Sequence, residues 1–174
     1  MAKIEDYTTL ILKECASQNL SNYSDLIRAM VAVESEYNPN AMRYERNYVH
    51  LYQEENFAKI QKITLETEKA LQRFSYGLGQ LMGASCRWLG FSGHLPKLLD
   101  PEINLFWMCR YFKKVCSPQV YTNDQIAVYN GGQRALITKA QTGLYPERVE
   151  IHVQKVLAAL SKIQDNKPKV FGPN

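Results

Sequence analysis

Glu34 sits in the stretch "AVESEYNPN", three, four and seven residues after Val31, Met30 and Ile27, so helical periodicity turns its carboxyl onto an apolar face. A carboxylate in that position must pair with a cation, open onto a cleft, or stay protonated through a raised pKa. The last option makes it a proton donor near neutral pH, the chemistry of a general acid. Read alone, an inward Glu at a helix end is more often a satisfied structural partner than a catalyst.

Two other stretches place polar side chains at helix termini. "SYGLGQLMGAS" packs three glycines into seven residues and sets Gln80 in a tight loop leading into a helix, while "VYNGG" closes a helix with Tyr129 and Asn130 before two glycines. Each has a plain structural reading: Gln80 as a cap, Tyr129 as a core aromatic with a solvated hydroxyl, Asn130-Gly131 as a helix stop. Metal chemistry is not expected. The histidines His50, His94 and His152 are far apart, and Cys15, Cys86, Cys109 and Cys116 lack Cys-x-x-Cys spacing and fall within apolar helical patterns, which predicts free, buried thiols and no cofactor.

The elements that must position these residues are helical, since no segment shows sustained strand alternation between hairpin turns. A first helix is expected over 4–16 with Ile4, Tyr7, Ile11 and Cys15 on one face. A second, capped near Ser21 or Asn22, should run to Asn38-Pro39, where the residue before proline leaves the helical region. Residues 43–74 are polar, with Phe57, Ile60 and Leu71 as sparse anchors, and read as a protruding, partly helical insertion whose charges form a solvated surface. The glycine loop should lead into a helix carrying Met82, Cys86 and Leu89. Asp100-Pro101 should cap and open a central helix with the stripe Leu105, Cys109, Phe112 and Cys116. Thr122 and Gln125 have capping-box spacing ahead of a short helix that stops at Gly131 and Gly132. The last helix, 146–163, lines up Val149, Val153, Val156, Leu157 and Leu160, and leaves 164–174 as a polar, mobile tail.

The chain of 174 residues is about one domain long, with 45% hydrophobic and 22% charged residues, which excludes disorder and fibres. Its formal charge of +4 is spread among alternating acids and bases with no basic run interleaved with aromatics, so nucleic-acid binding is not expected. The longest apolar runs are far too short to span a membrane, and "MAKIEDYTTLILKE" does not have the form of a signal peptide. Synthesis in a cytoplasm is the expectation, with any export needing outside help.

Taken in order, Glu34-Ser35, Gly77-Leu78-Gly79-Gln80 and Tyr129-Asn130-Gly131-Gly132 resemble the lytic transglycosylases of the soluble lysozyme-like (SLT) family, whose pattern is Glu-Ser, then Gly-Leu-Met-Gln, then Ala-Tyr-Asn-Gly-Gly before a final helix. The resemblance runs from the second helix to about Leu160. It implies an all-α, lysozyme-like fold with a substrate cleft, formed by residues 1–163 as one domain. It also implies cleavage of the N-acetylmuramic acid–N-acetylglucosamine bond of peptidoglycan with 1,6-anhydro ends. Glu34 would be the acid and then the base. Gln80 and Asn130 would bind the sugar, Tyr129 would orient Glu34, and Ser35 would sit with them at the substrate site as a supporting hydrogen-bond partner. Trp88, Trp107, Phe106 and Phe112 read as core and not as sugar platforms.

The departures are Gly79 where the family has Met, Val128 for Ala, His152 where the last helix commonly carries Tyr, and a longer gap between Glu34 and Gly77. That gap looks more like phage-encoded lytic enzymes, which implies an endolysin or virion-borne monomer reaching the wall in the periplasm by holin-dependent release or virion delivery. The alternatives are a hydrolytic muramidase and a non-catalytic wall-binding virion protein. For a muramidase the missing second acid would be sought at Glu45 or Glu36. Both are poor candidates, since Glu36 points to another helical face and Glu45 follows a proline-broken loop.

Overall fold

The computed structural model describes residues 4–166, with side chains described from Tyr7 onward. Among the described residues there are nine α-helices and one small sheet. Helix α1 (Ile4–Ser17) buries Tyr7, Ile11 and Cys15; the Ile4 side chain expected beside them lies outside the described ones. A 3₁₀ turn at Ser21–Tyr23 leads into α2 (Ser24–Ser35), which buries Ile27, Met30 and Val31 completely.

Helix α2 stops three residues short of the expected Asn38-Pro39. Glu36 and Tyr37 both take left-handed backbone angles, φ +52° and +61°, and the Glu36 N–H closes on Ala32 O. The chain therefore turns before proline can act, and Glu34 lies in the final turn of the helix.

Residues 42–82 form a three-stranded antiparallel sheet, β1 (Met42–Tyr44), β2 (Phe74–Tyr76) and β3 (Leu81–Met82), with α3 (Glu54–Gln61) and α4 (Leu65–Gln72) between the first two strands. Strands of two and three residues are too short to show alternation, which is why the sequence did not predict them. The expectation of a solvated charged surface also fails at one point. Glu68 is fully buried and pairs bidentately with the equally buried Arg87 of α5 (Gly83–Trp88), Oε1 to Nε 2.8 Å and Oε2 to Nη2 3.0 Å. Arg87 also donates to Phe91 O and Gly93 O and lies 4.4 Å from the Phe57 ring centroid. The segment is thereby anchored to the body by a satisfied ion pair. Met82, expected inside the helix, is its N-cap and belongs to β3.

The central helix α6 (Pro101–Tyr111) is capped as expected, Asp100 accepting from the Glu102 and Ile103 N–H groups. Its stripe of Leu105 and Cys109 continues through Phe112 and Cys116 in a π-helical turn, all four fully buried. The capping box of Thr122 and Gln125 does not form. Tyr121 takes the cap position without a side-chain bond, and Gln125 is buried and donates to Gln119 O. Helix α7 (Thr122–Gly131) ends at Gly132, φ +63°, and is followed by α8 (Gln133–Thr142), absent from the sequence reading. Helix α9 (Glu147–Asp165) buries Val149, Val153 and Val156 and packs on α2 and α7, so it crosses the end of the helix that carries Glu34. The tail expected from 164 lies mostly outside the described residues. All four cysteines are free and buried.

Removing one partner of a buried ion pair strands the other charge, a loss of about 3–5 kcal/mol. Arg87→Met is expected to lower the unfolding free energy from urea titration by that much, with Glu68→Gln added to it restoring part of the loss. A single variant as stable as the parent would show that the pair anchors nothing.

Candidate functional site

Glu34 lies where two hollows of about 390 and 580 Å³ meet; both are bordered by Glu34, Arg43, Asn130 and Arg148. The larger also takes in Gln80, Tyr129, Ser75, Glu45 and Arg46, and the smaller His152 and Lys155. Four of the five predicted site residues therefore come together. The fifth, Ser35, does not border either hollow. Its buried hydroxyl donates to Leu78 O (2.9 Å) and Val31 O (3.2 Å), so it ties the end of α2 to the glycine loop as a supporting hydrogen-bond partner.

The same loop explains two other residues. Gly77 (φ +65°) approaches α6 so closely that a Cβ would meet Asn104 Nδ2 at 2.5 Å and Leu98 O at 2.7 Å. Asn104, fully buried, accepts from the Gly79 N–H and donates to Tyr76 O and Leu98 O, all at 2.8 Å, clamping the loop to α6. Sequence reading missed it, although an Asn inside "INLFWMC" was a visible signal. Gln80, at φ +47°, uses both amide hydrogens on Ala41 O and Gly77 O and accepts from Ser75 Oγ, which leaves one lone pair of Oε1 for any ligand.

Tyr129 does not hydrogen-bond Glu34. Its hydroxyl donates to Gly79 O at 2.6 Å and its ring meets Tyr111 edge-on, so its one hydroxyl hydrogen is committed to the loop. Burial, then the charge of nearby Glu34, pushes the phenol well above its ordinary pKa, keeping it a donor. Gly79 has no room for the methionine of the family pattern: a Cβ there would meet Met108 Sδ at 2.7 Å and Tyr129 Oη at 3.0 Å. Met108 of α6 occupies that space, and Met82 supplies an apolar border of the hollow. Trp88 and Phe106, expected in the core, are 42% and 38% exposed. Trp88 borders a third hollow of about 400 Å³ with Tyr52 and Tyr111, which shares Tyr48 with the cleft around Glu34.

Burial raises the Glu34 carboxyl to about 7, against the opposing pull of Arg43 and then Arg148. His152 Nε2 stands 3.3 Å from Glu34 Oε1 without forming a hydrogen bond, and burial, with Lys155 and Arg148, lowers the imidazole to about 4. Between those values both partners are neutral. The contact is then an uncharged acid beside an uncharged base, which leaves the Glu34 proton available for transfer. Among the described residues no group of His, Cys, Asp and Glu could hold a metal ion.

The profile of the transglycosylase SLT domain matches residues 12–144. The chain belongs to this family. No curated protein and no solved structure matches it. Membership in the transglycosylase SLT family makes peptidoglycan the substrate class and glycosidic-bond cleavage the type of reaction, and agrees with a mostly helical, lysozyme-like fold. The match covers Glu34, the glycine loop and Asn130 but ends before α9, so His152, Arg148 and Lys155 are features of this SLT chain beyond the matched segment.

Glu34 should make the fold more stable in acid. Its folded pKa lies above its unfolded value of 4.5, so its contribution is best below that pH and falls until the folded group ionises near 7, on the order of 3 kcal/mol in all. Glu34→Gln is expected to melt several degrees above the parent at pH 8 and level with it near pH 4, by calorimetry; equal melting at both would mean the carboxyl is not strained by burial. Separately, Gly79→Ala should destabilise, and Met108→Ala should rescue it in a double-mutant cycle. Additive losses would remove Met108 as the occupant of the missing side chain's space.

Proposed function

We propose that this chain is a peptidoglycan lytic transglycosylase that cleaves the bond between N-acetylmuramic acid and N-acetylglucosamine and leaves 1,6-anhydromuramic ends. The observation that carries the reading is Glu34, a carboxyl without an ion-pair partner in the pH range where His152 is neutral, held protonated at the meeting point of two hollows. Protonated, it delivers its proton to the glycosidic oxygen as the bond breaks. The substrate's own N-acetyl group stabilises the cationic carbon, and Glu34, now a carboxylate, takes the proton of the sugar's 6-hydroxyl as that oxygen closes onto the carbon. No water enters. Asn130 borders both hollows and is the side chain we assign to the acetamido group; Gln80 adds the remaining lone pair of Oε1. The hollow bordered by Trp88, Tyr52 and Tyr111 gives further sugar rings aromatic faces along the same cleft.

One observation favours a second reading. Glu45 borders the larger hollow together with Glu34, so a second carboxylate is nearer the reaction than its place in the sequence suggested, and a muramidase would use it to activate water. Against this, one of its carboxylate oxygens, Oε1, stands 2.5 Å from Arg43 Nε, an ion pair of the kind that favours the charged form of a carboxylate and lowers its strength as a base. Residues 1–163 as one catalytic domain, a phage origin, action as a monomer and delivery to the periplasmic wall through a holin or a virion belong to the same proposal. They are supported by the wall substrate and by the long segment between Glu34 and Gly77. No helix among the described residues is long and apolar enough to cross a membrane.

The test is digestion of purified cell walls with mass analysis of the soluble fragments. The wild type is expected to release products one water lighter than hydrolysed ends, and Glu34→Gln to lose activity on the order of a hundred- to ten-thousandfold while staying folded. Reducible ends that disappear in Glu45→Gln would establish the muramidase, and wall binding without any product would establish the non-catalytic alternative.

A further inference from the structure

Arg43 and Arg148 both lower the proton affinity of Glu34, and so oppose the state that an acid catalyst needs. Arg43 is engaged with Glu45, but Arg148, Arg46 and Lys155 form no ion pair or hydrogen bond among the described residues, and all three are exposed at the two hollows. Arg148 and Lys155 are seven residues apart on α9, two turns along one face, about 10 Å from each other. His152 lies between them and is neutral above about pH 4, and Glu147 is the one acid of the smaller hollow besides Glu34. Free guanidinium and ammonium groups crowded around a general acid work against it until an anion neutralises them.

We propose that Arg148, with Lys155 and Arg46, forms a carboxylate-binding site beside Glu34 that takes a carboxylate carried by the substrate's muramyl unit. The inference rests on the peptidoglycan reading above and adds to it the chemical group that the site selects. Arg148 borders both hollows, so a carboxylate bound to it reaches along the cleft on either side of the acid. Occupation of this cation set offsets the pull on Glu34, so the carboxyl holds its proton most firmly when the correct strand is bound. A neutral glycan leaves the cations bare and Glu34 more readily ionised. Two groups on a muramyl unit have this chemistry: the lactyl carboxylate itself where no peptide is attached, and the carboxylates of an attached stem peptide.

Four substrates separate the sources: peptide-bearing strands and amidase-stripped strands, each native or with its carboxylates converted to neutral amides by carbodiimide and glycinamide. Amidation is expected to lower wild-type kcat/KM about tenfold or more, the worth of a charged hydrogen bond. A loss confined to peptide-bearing strands assigns the stem peptide; a loss confined to stripped strands assigns the lactyl group. The R148Q/K155Q variant, whose altered side chains are exposed and unpartnered, should cut native strands more slowly and respond to amidation by less than about twofold. Equal cutting of native and amidated strands by the wild type overturns the inference alone, as does an undiminished amidation effect in the variant. If no strand is cut by the wild type, the proposed function falls and this inference with it.

Discussion

The desolvation of one carboxyl is the constraint around which the molecule is arranged. Burial at the end of α2 pushes the Glu34 proton on, while Arg43 and Arg148 pull it off, and the balance settles near neutrality. Neither term could dominate without loss. Deeper burial would disconnect the acid from the cleft, and closer arginines would leave a carboxylate unable to donate. Helix α9 sets this balance, since it places His152 beside Glu34 and carries Arg148 at the same hollow.

Most polar side chains near the acid serve the backbone and leave the ligand to a few others. Ser35, Asn104 and Tyr129 each bond the 77–80 loop from a different element, α2, α6 and α7 respectively. The loop contains two residues in left-handed conformation, Gly77 and Gln80, and would not keep that shape without such partners. A consequence is that Ser35 and Tyr129 direct their hydroxyl hydrogens to this loop, and Gln80 spends most of its hydrogen-bonding capacity within it. Among the described residues, Asn130, Arg148, Arg46, Lys155 and one lone pair of Gln80 are polar groups left unengaged at the two hollows.

The helices were legible because their apolar stripes repeat over many turns: Leu105, Cys109, Phe112 and Cys116 in one, Val149, Val153 and Val156 in another, all buried. Glu34 was legible for the same reason, as an acid out of place on a regular apolar face. The sheet was not, because strands of two and three residues complete at most one alternation, too few to make a readable pattern. Glu68 was misread since a buried carboxylate and a solvated one look alike in a charged stretch until Arg87 is found nineteen positions away. Thr122 and Gln125 had the right spacing for a cap but Gln125 was drawn into the core instead. The hydrogen bond of Tyr129 could not have been predicted from spacing, because Gly79 O and Glu34 compete for one hydroxyl and only the folded distances choose between them.

The central claim is that Glu34 is protonated near neutral pH because it is buried among mixed neighbours. Carbon-13 NMR of the folded protein labelled at glutamate side-chain carboxyls, with Glu34 assigned by its loss in Glu34→Gln, measures this directly. A titration midpoint near 7 that rises when Arg148 is replaced by Gln is the predicted result. A midpoint at the ordinary carboxylate value, unmoved by that replacement, would contradict the account.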